Sequence, residues 1–329
     1  MNYQSVTGNG IIGMLLVPFC DPQLESRAIM NRFSNDRRKG APLTAVTVED
    51  TLVPGPHGPV PLRLYLPSAP DGSGLVWAHG GGFAFGDLDM PEAHEVGLAV
   101  AAEGITVVSV DYRRAPVPAE WGPDGRPQPG HRHPVPLEDV RAAFLWAVGS
   151  HLPAQRWSLG GASAGANLAA GATLRLRDEE PAPEALPASV VLAYPTLHAL
   201  QPESDETLTA ALAAAGLTEQ FDATRVREMY ENHLGQAAES ADVYAAPGTT
   251  TPERLRGFPP TLVLLSEVDG LRPSGEAFAA LLRSAGVPVD VQLEPGTQHG
   301  HLNGADAAAV ASRLRVARHL QTLREGDPA

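Results

Sequence analysis

Apolar positions follow two alternating spacings along the chain from about residue 44 onward. Short runs rich in branched apolar residues, typical of strands, occupy 43–53, 61–66, 75–78, 105–110, 156–159, 189–194, 261–266 and 287–293. Longer segments with helical spacing of apolar residues occupy 91–103, 137–148, 164–177, 274–285 and 305–325. The first two strands flank a turn at 54–58. This order predicts an α/β protein in which a hairpin precedes a mostly parallel central sheet with helices on both faces.

Three segments depart from this alternation. Residues 1–40 precede the sheet and carry helical patterning with polar caps. Residues 197–235 lie between two predicted strands and have helical spacing. They are too long for a simple connection, so we expect an insertion with its own structure. Residues 115–136 are rich in proline and glycine, which predicts a long irregular loop.

Composition narrows the class of protein. The chain has 329 residues, of which 43% are hydrophobic and 19% charged, enough to bury a sizeable core. This length fits two domains, or one large α/β domain with an inserted lid. The net charge of −14 at pH 7 repels a phosphate backbone, so we expect no nucleic-acid partner. Cys20 is the only cysteine, which excludes an internal disulfide and a thiolate metal cage.

The amino-terminal apolar run does not have the features of a membrane anchor or a signal peptide. It covers residues 11–20, is interrupted by Gly13 and Pro18, and is too short to span a bilayer. No basic residue precedes it, because the first is Arg27, whereas a signal peptide begins with a basic region. We therefore expect no membrane association and a cytoplasmic location.

A nucleophile motif occurs at 161–165, which reads Gly-Ala-Ser-Ala-Gly. It follows one predicted strand and opens the next predicted helix, as a nucleophile elbow does. There the glycines admit a strained turn, the hydroxyl of Ser163 projects above the sheet, and the helix directs its amino terminus at developing negative charge. Alone, the pattern is equally typical of a tight turn with a satisfied serine.

A glycine run, His-Gly-Gly-Gly-Phe at 79–83, follows an earlier predicted strand. Consecutive glycines leave backbone N–H groups free to point into a cavity and stabilise an oxyanion. The alternative is a flexible connector. The glycine run at 79–83 precedes the nucleophile motif at 161–165, and each follows a predicted strand. Together, in this order, the two motifs favour a serine hydrolase.

A serine nucleophile needs a base and an orienting acid, which in this arrangement follow it in the order acid, then histidine. Asp269 lies just past the strand predicted at 261–266, and His299 just past the one at 287–293. Glu267 and His301 are the weaker alternatives for acid and base. Five further histidines are expected at the surface or in loops: His94, His131, His133, His198 and His233. No metal-binding spacing is present, so no metal or cofactor is expected.

These residues resemble the hormone-sensitive-lipase-like family of α/β-hydrolases, the bacterial family IV esterases, over roughly residues 60–320. HGGGF at 79–83 matches the family's oxyanion motif in full. The other matching motifs are DYR at 111–113 with AP at 115–116, PVPLED at 134–139 with Trp146 beyond, SAG at 163–165 with NLA at 167–169, YP at 194–195, D-x-L-R at 269–272 and HG at 299–300.

The resemblance implies an α/β-hydrolase fold with a helical cap. Residues 41–196 and 236–329 would form the catalytic domain, and 1–40 with 197–235 the cap over the acyl pocket. The oxyanion-hole N–H groups would come from Gly81, Gly82 and Ala164, while His79 would brace the glycine loop. The family's activity implies hydrolysis of small-molecule esters of short to medium acyl chains, through an acyl-enzyme formed on Ser163.

The sequence departs from the family at four places. The family usually reads GDSAGG, and here Ala162 replaces the acid and Ala166 the last glycine. The 115–136 loop is longer than the family's. His301 stands where an aromatic residue is common, and Arg114 replaces the usual leucine. The elbow needs only a small residue at 162, so we expect activity to survive.

Alternative functions remain at this point. An amidase or a carbamate hydrolase would use the same triad, because the pocket selects the leaving group. A small-molecule receptor on the same scaffold is disfavoured, since all three triad positions are filled. The strand at 287–293 is predicted near a sheet edge, where it could pair with a second copy, so a homodimer is one option.

Overall fold

The computed structural model describes residues 44–122, 124–179 and 186–325. Within these ranges the chain forms one eight-stranded sheet, in the order β1-β2-β4-β3-β5-β6-β7-β8. Its strands are β1 Val46–Val53, β2 Val60–Pro67, β3 Gly72–Ala78, β4 Thr106–Val110, β5 Ala154–Ala162, β6 Val190–Ala193, β7 Thr261–Val268 and β8 Val289–Gln298. The predicted cap segment 1–40 and Cys20 lie outside the described residues.

The sheet is antiparallel only at its first edge. β1 pairs antiparallel with β2, and β2 antiparallel with β4. All remaining neighbours, from β4 to β8, pair in parallel. The predicted hairpin and the mostly parallel sheet are confirmed, and β8 lies at the opposite edge as expected.

Helices cover both faces of the sheet. They are α1 Pro91–Ala102, α2 Val135–Gly149, α3 Ala164–Glu179, α4 Glu206–Ala215, α5 Ala223–Leu234, α6 Pro252–Leu255, α7 Arg272–Ser284 and α8 Ala307–Glu325. Strand β3 shows the alternation that produces two cores: Leu75 and Trp77 pack with α1 and α8, while Val76 and Ala78 pack with α2 and α3. None of the helices in the described ranges combines enough length with enough apolar character to cross a membrane.

Two strands extend further than their sequence pattern predicts. β5 continues from the predicted 156–159 through Ala162, directly to the nucleophile motif, and β8 runs on to Gln298, next to the candidate histidine. Glycines in a strand weaken its sequence signal, but parallel pairing of β5 with both β3 and β6 continues the strand through Gly160 and Gly161. Because β5 and β8 run in the same direction, both candidate residues follow the carboxyl ends of their strands, at the same end of the sheet.

The insertion at 197–235 is helical, as predicted, and contains α4 and α5. Asp205 and Asp222 cap the two helices by accepting a hydrogen bond from a first-turn N–H, and Gly216 and Gly235 end them in the left-handed conformation. Helix α5 buries one face, formed by Val226, Met229, Tyr230, His233 and Leu234. This spacing is that of an amphipathic helix lying on the body of the protein.

The 115–136 loop is irregular but firmly attached. Val117 and Gln128 form an isolated antiparallel bridge that closes its outer part. Its two ends reach helix α5: Asn232 donates a side-chain hydrogen bond to the carbonyl of Pro116 at 2.8 Å, and the N–H of His133 donates to the carbonyl of His233 at 2.9 Å. The loop thus ties α5 to the segments that follow β4 and precede α2.

Candidate active site

Ser163 occupies a strained turn between β5 and α3. Its φ is +53°, in the left-handed region that non-glycine residues rarely adopt. A Cβ at position 165 would lie 2.2 Å from the carbonyl oxygen of Ala78, and one at Gly161 would lie 2.4 Å from the carbonyl carbon of Gly165. Both glycines of the motif are therefore required by close backbone approach, which is the geometry of a nucleophile elbow.

The predicted serine, histidine and acid come together at the carboxyl ends of β5, β7 and β8. His299 Nε2 lies 3.0 Å from Ser163 Oγ, and His299 Nδ1 lies 2.7 Å from Asp269 Oδ2. The other carboxylate oxygen of Asp269 accepts from the N–H of Leu271 at 2.8 Å, which fixes the buried acid. With Nδ1 donating to the carboxylate, Nε2 is left to accept the serine proton.

The two alternative residues have other partners. Glu267 accepts a hydrogen bond from the N–H of Gly296 at 2.7 Å. The ring nitrogens of His301 lie 2.9 Å from Ser266 Oγ and 3.0 Å from Ser312 Oγ. Burial lowers the pKa of His301 to about 4, so it packs as a neutral ring. Among the described residues, no group of three or more His, Cys, Asp or Glu side chains could hold a metal ion.

The glycine run forms a tight left-handed turn. Gly81, Gly82 and Phe83 have φ values of +108°, +57° and +66°. A Cβ on Gly81 would lie 2.2 Å from the carbonyl oxygen of Phe85, so only glycine fits there. The N–H groups of Gly81 and Gly82 donate to no group within the described ranges, which leaves both free to bind an anion.

This turn lies directly against the serine. A Cβ on Gly80 would be 3.1 Å from Ser163 Cβ, and one on Gly165 would be 2.3 Å from the carbonyl oxygen of His79. Ala164 opens α3, so its N–H has no acceptor inside the helix. The three N–H groups predicted for an oxyanion hole thus belong to two backbone segments in contact at the serine.

His79 supports the turn without reaching the serine. Its Nδ1 lies 2.7 Å from the carbonyl oxygen of Gly80, and its ring stacks on Tyr112 with centroids 4.4 Å apart. Burial lowers the pKa of His79 to about 4, so it stays neutral near pH 7. On the outer side, Arg114 donates to the carbonyl of Gly86 at 2.6 Å. These contacts suit a brace, as expected for His79.

Comparison with known proteins agrees with this geometry. The chain matches the family described as alpha/beta hydrolase fold over residues 75–120 and 122–303. It is 34% identical to the carboxylic ester hydrolase LipN of Mycobacterium tuberculosis over 83% of this chain and 70% of LipN. It is 30% identical to the esterase LipI of the same organism, over 84% and 81% of the two chains. The solved esterase of Pyrobaculum calidifontis superposes with a TM-score of 0.69, at 26% identity over 91% of both chains.

The chain belongs to the hormone-sensitive-lipase-like esterases of the α/β-hydrolase superfamily.

Side chains from the 197–235 insertion lie against the candidate site of this esterase. Met229 of α5 lies against the glycine turn, since a Cβ on Gly82 would be 3.4 Å from its sulfur. The ring of Phe221 meets that of His299 edge-on, with centroids 4.4 Å apart. Sequence patterning did not identify either residue, because it shows that an insertion is helical but not which face it turns to the serine.

The expectation of a surface or loop position is wrong for His233, which lies within helix α5, whereas His198 does lie in a loop, where it is half-buried. His233 is fully buried and stacks on Phe83 of the esterase's glycine turn, with ring centroids 4.0 Å apart. Burial lowers its pKa to about 3. Burial also lowers the pKa of His198 to about 4, and its Nδ1 lies 2.8 Å from Ser274 Oγ. Both are neutral packing residues, because the segments that carry them fold onto the body.

Glu92, in the first turn of α1, is a further residue that sequence analysis missed. It is 2% exposed, and its carboxylate reaches Gly80 of the glycine turn and the hydroxyl of Tyr194. Acidic residues are common in the first turn of helices, where they are usually solvated. Its burial beside the esterase's active site is visible only in the tertiary structure.

Proposed function

We propose that the protein hydrolyses short- to medium-chain acyl esters through a triad of Ser163, His299 and Asp269 and an acyl-enzyme intermediate. Hydrolysis of carboxylic esters as a reaction class follows from the family. The observation that carries the assignment of residues is the continuous hydrogen-bonded chain from Ser163 through His299 to Asp269, beside N–H groups without acceptors in the described ranges.

Acylation begins when Ser163 Oγ attacks the ester carbonyl carbon while its proton passes to His299 Nε2. The carboxylate of Asp269 stabilises the imidazolium and keeps the ring in the orientation set by the 2.7 Å contact. When the tetrahedral intermediate collapses, the carbon–oxygen bond to the alcohol breaks and His299 returns the proton to the leaving alcohol. The acyl group remains as an ester on Ser163.

The negative charge of the tetrahedral intermediate is held by the backbone. The N–H groups of Gly81, Gly82 and Ala164 donate to the oxyanion, and the amino terminus of α3 adds its dipole. Because the left-handed turn is set in advance, these donors need no rearrangement during reaction.

Deacylation repeats the same steps with water. His299 accepts a proton from a water molecule, whose oxygen attacks the acyl carbon and displaces Ser163 Oγ. The proton then returns to the serine, and the carboxylic acid leaves. Every proton is handled by one imidazole, so no co-reactant other than water is required.

The departures from the family motif leave this machinery intact. Ala162 packs in the core on the α1 and α8 face, and Ala166 in the core beneath α7. Both are fully buried small residues, so the elbow keeps its geometry without the usual acid and glycine. We expect activity to survive with this version of the motif.

The insertion supports a preference for small and medium acyl groups. We propose that α4 and α5 form a cap on the catalytic domain; the other predicted cap segment, residues 1–40, lies outside the described residues. Phe221 and Met229 bring this cap against His299 and Gly82, which limits the room for the acyl chain. A homodimer through β8 and a cytoplasmic location remain predictions.

The assignment is tested with p-nitrophenyl esters from acetyl to dodecanoyl, comparing the wild type with Ser163→Ala. We expect activity to peak at short or medium chains and to fall by about 10⁴- to 10⁶-fold in the variant. The matching p-nitroanilides test the amidase alternative in the same assay. Retention of most activity by Ser163→Ala would contradict the triad, and a wild type active only on anilides would contradict the ester preference.

A further inference from the structure

Glu92 is a buried carboxylate with three hydrogen-bond donors around it. Its Oε1 accepts from the N–H of Gly80 at 2.7 Å. Its Oε2 accepts from the hydroxyl of Tyr194 at 2.7 Å and from the side-chain amide of Asn303 at 3.1 Å. All three partners donate, so both carboxylate oxygens act as acceptors in a residue that is only 2% exposed.

The first of these donors, the N–H of Gly80, belongs to the glycine turn at 79–83. Since this turn carries the proposed oxyanion hole, we call it the oxyanion turn below. Gly80 immediately precedes Gly81 and Gly82, whose N–H groups donate to nothing in the part of the chain that the structure describes. Glu92 approaches so closely that a Cβ on Gly80 would lie 2.4 Å from its Oε1. The carbonyl of Gly80 accepts a hydrogen bond from the hydroxyl of Tyr112 at 3.2 Å. Glu92 thus determines the direction of the peptide that enters the oxyanion turn.

The second donor packs against the catalytic imidazole. The ring of Tyr194 meets that of His299 edge-on, with centroids 5.0 Å apart. Tyr194 has a φ of +35°, an unusual conformation for a tyrosine, and its N–H donates to the carbonyl of Leu264 at 2.6 Å. Burial, and next the charge of Glu92, raises the pKa of the Tyr194 hydroxyl well above its usual value, so it remains a donor.

The third donor holds the turn that follows the histidine. The side-chain amide of Asn303 also donates to the carbonyl of Gly300, the residue after His299, at 3.1 Å. In return, Asn303 Oδ1 accepts from the backbone N–H of Glu92 at 3.1 Å. Two reciprocal hydrogen bonds therefore fasten the histidine turn to the first turn of α1.

We propose that Glu92 is a positioning residue that keeps the oxyanion turn and His299 in the relative position that the reaction requires. The proposal rests on the function proposed above, since it assumes that His299 is the base and that the glycine turn binds the oxyanion. Glu92 has no contact with Ser163 Oγ among its hydrogen bonds, so it acts through Gly80, Tyr194 and Asn303. One carboxylate on helix α1 thereby supports both the oxyanion turn and the turn that follows His299.

Replacing Glu92 with glutamine tests this role. The amide has nearly the same shape but one oxygen becomes an NH₂ group, so at least one of the three donors faces another donor. We expect kcat to fall about 10- to 100-fold, because a displacement of catalytic groups by up to 1 Å is sufficient for such a loss. KM should change less than about twofold, because the lost alignment matters most in the transition state.

Glu294→Gln provides a matched control. Glu294 is also a buried carboxylate, 5% exposed, and lies on β8, the strand that leads to His299. Its carboxylate pairs with Arg315 at 2.9 Å rather than with the oxyanion turn. The control should lower the melting temperature while leaving kcat unchanged, which separates a loss of stability from a loss of alignment.

Tyr194→Phe and Asn303→Ala each remove one donor and provide the test if Glu92→Gln does not fold. Each should lower kcat with little change in KM, and the effect of Tyr194→Phe should shrink in the Glu92→Gln background, because the two act together. The proposal is overturned if folded Glu92→Gln keeps its kcat, or if the single-donor variants both keep theirs. Loss of activity in Ser163→Ala alongside full kcat in Glu92→Gln would overturn this inference alone and leave the proposed function standing.

Discussion

At position 165 the carbonyl oxygens of the neighbouring strand and turn leave no room for a side chain. Any Cβ there would lie 2.2 Å from the Ala78 oxygen and 2.3 Å from the His79 oxygen. The same close approach holds Ser163 at its φ of +53° and keeps the oxyanion turn beside it. A single glycine therefore sets the distance between Ser163 and the backbone of the glycine turn, the proposed oxyanion donors. The motif alone indicated the close backbone approach but not this distance.

We predict that Gly165→Ala lowers the free energy of unfolding by about 3 kcal/mol and lowers kcat, because backbone atoms must move to admit the methyl group. Gly149→Ala is the matched control. Gly149 ends α2 with nothing within 4 Å of its Cβ position, so the change should be below about 1 kcal/mol. Urea unfolding and the ester assay measure both effects. Equal free energies of unfolding for the two variants would contradict this prediction, because they would show that the backbone around position 165 moves aside at little cost.

At the scale of elements, helix α5 connects three parts of the protein. Its buried face packs on the oxyanion turn through Met229 and His233, while its carboxyl end is held by the 115–136 loop through Asn232. Asn167 of α3 donates to the hydroxyl of Tyr230 at 3.0 Å, which ties the helix to the elbow as well. With contacts on three sides, α5 is held in place as a wall of the proposed acyl site.

We predict that Met229→Ala shifts acyl preference toward longer chains. Removing the side chain that lies against Gly82 opens space beside the oxyanion turn, and space for one or two methylenes changes selectivity by about tenfold. The measurement is the ratio of kcat/KM for octanoyl and acetyl p-nitrophenyl esters. Glu228→Ala, a neighbouring partly exposed position on α5, is the control and should leave the ratio unchanged. An unchanged ratio in Met229→Ala would place the acyl chain elsewhere.

At the scale of the whole molecule, burial of neutral histidines links folding to pH. Burial lowers the pKa of six histidines among the described residues from the usual 6.5, His94 and His319 among them. For the other four the pKa falls to about 4 in three of them and to about 3 in the fourth. In that order they are His79, His198, His301 and His233. Below pH 6.5 the unfolded chain takes up protons at these residues and the folded chain does not, so acid favours unfolding.

We therefore predict that the free energy of unfolding is greatest above about pH 6.5 and falls steadily toward pH 4. Each such histidine contributes a slope of up to about 1.4 kcal/mol per pH unit. Burial raises the pKa values of Asp111 and Asp139, so these two carboxyls oppose the trend. Calorimetry across this range measures the slope. His198→Gln, lacking one buried histidine, should give a shallower slope, and an identical slope would contradict the assignment.

The sequence by itself determined the α/β alternation, the hairpin, and the order in which Ser163, Asp269 and His299 follow their strands, although not where β5 and β8 end. These features depend on local periodicity and on glycines where the backbone approaches closely, and both can be recognised from residues that are neighbours in the sequence. Only the tertiary structure decided that Glu92 joins the oxyanion turn to the histidine turn, that His233 stacks on Phe83, and that α5 turns Met229 toward the site. Such contacts join residues far apart in the chain, and an acid or a histidine has the same local pattern whether it ends buried or solvated.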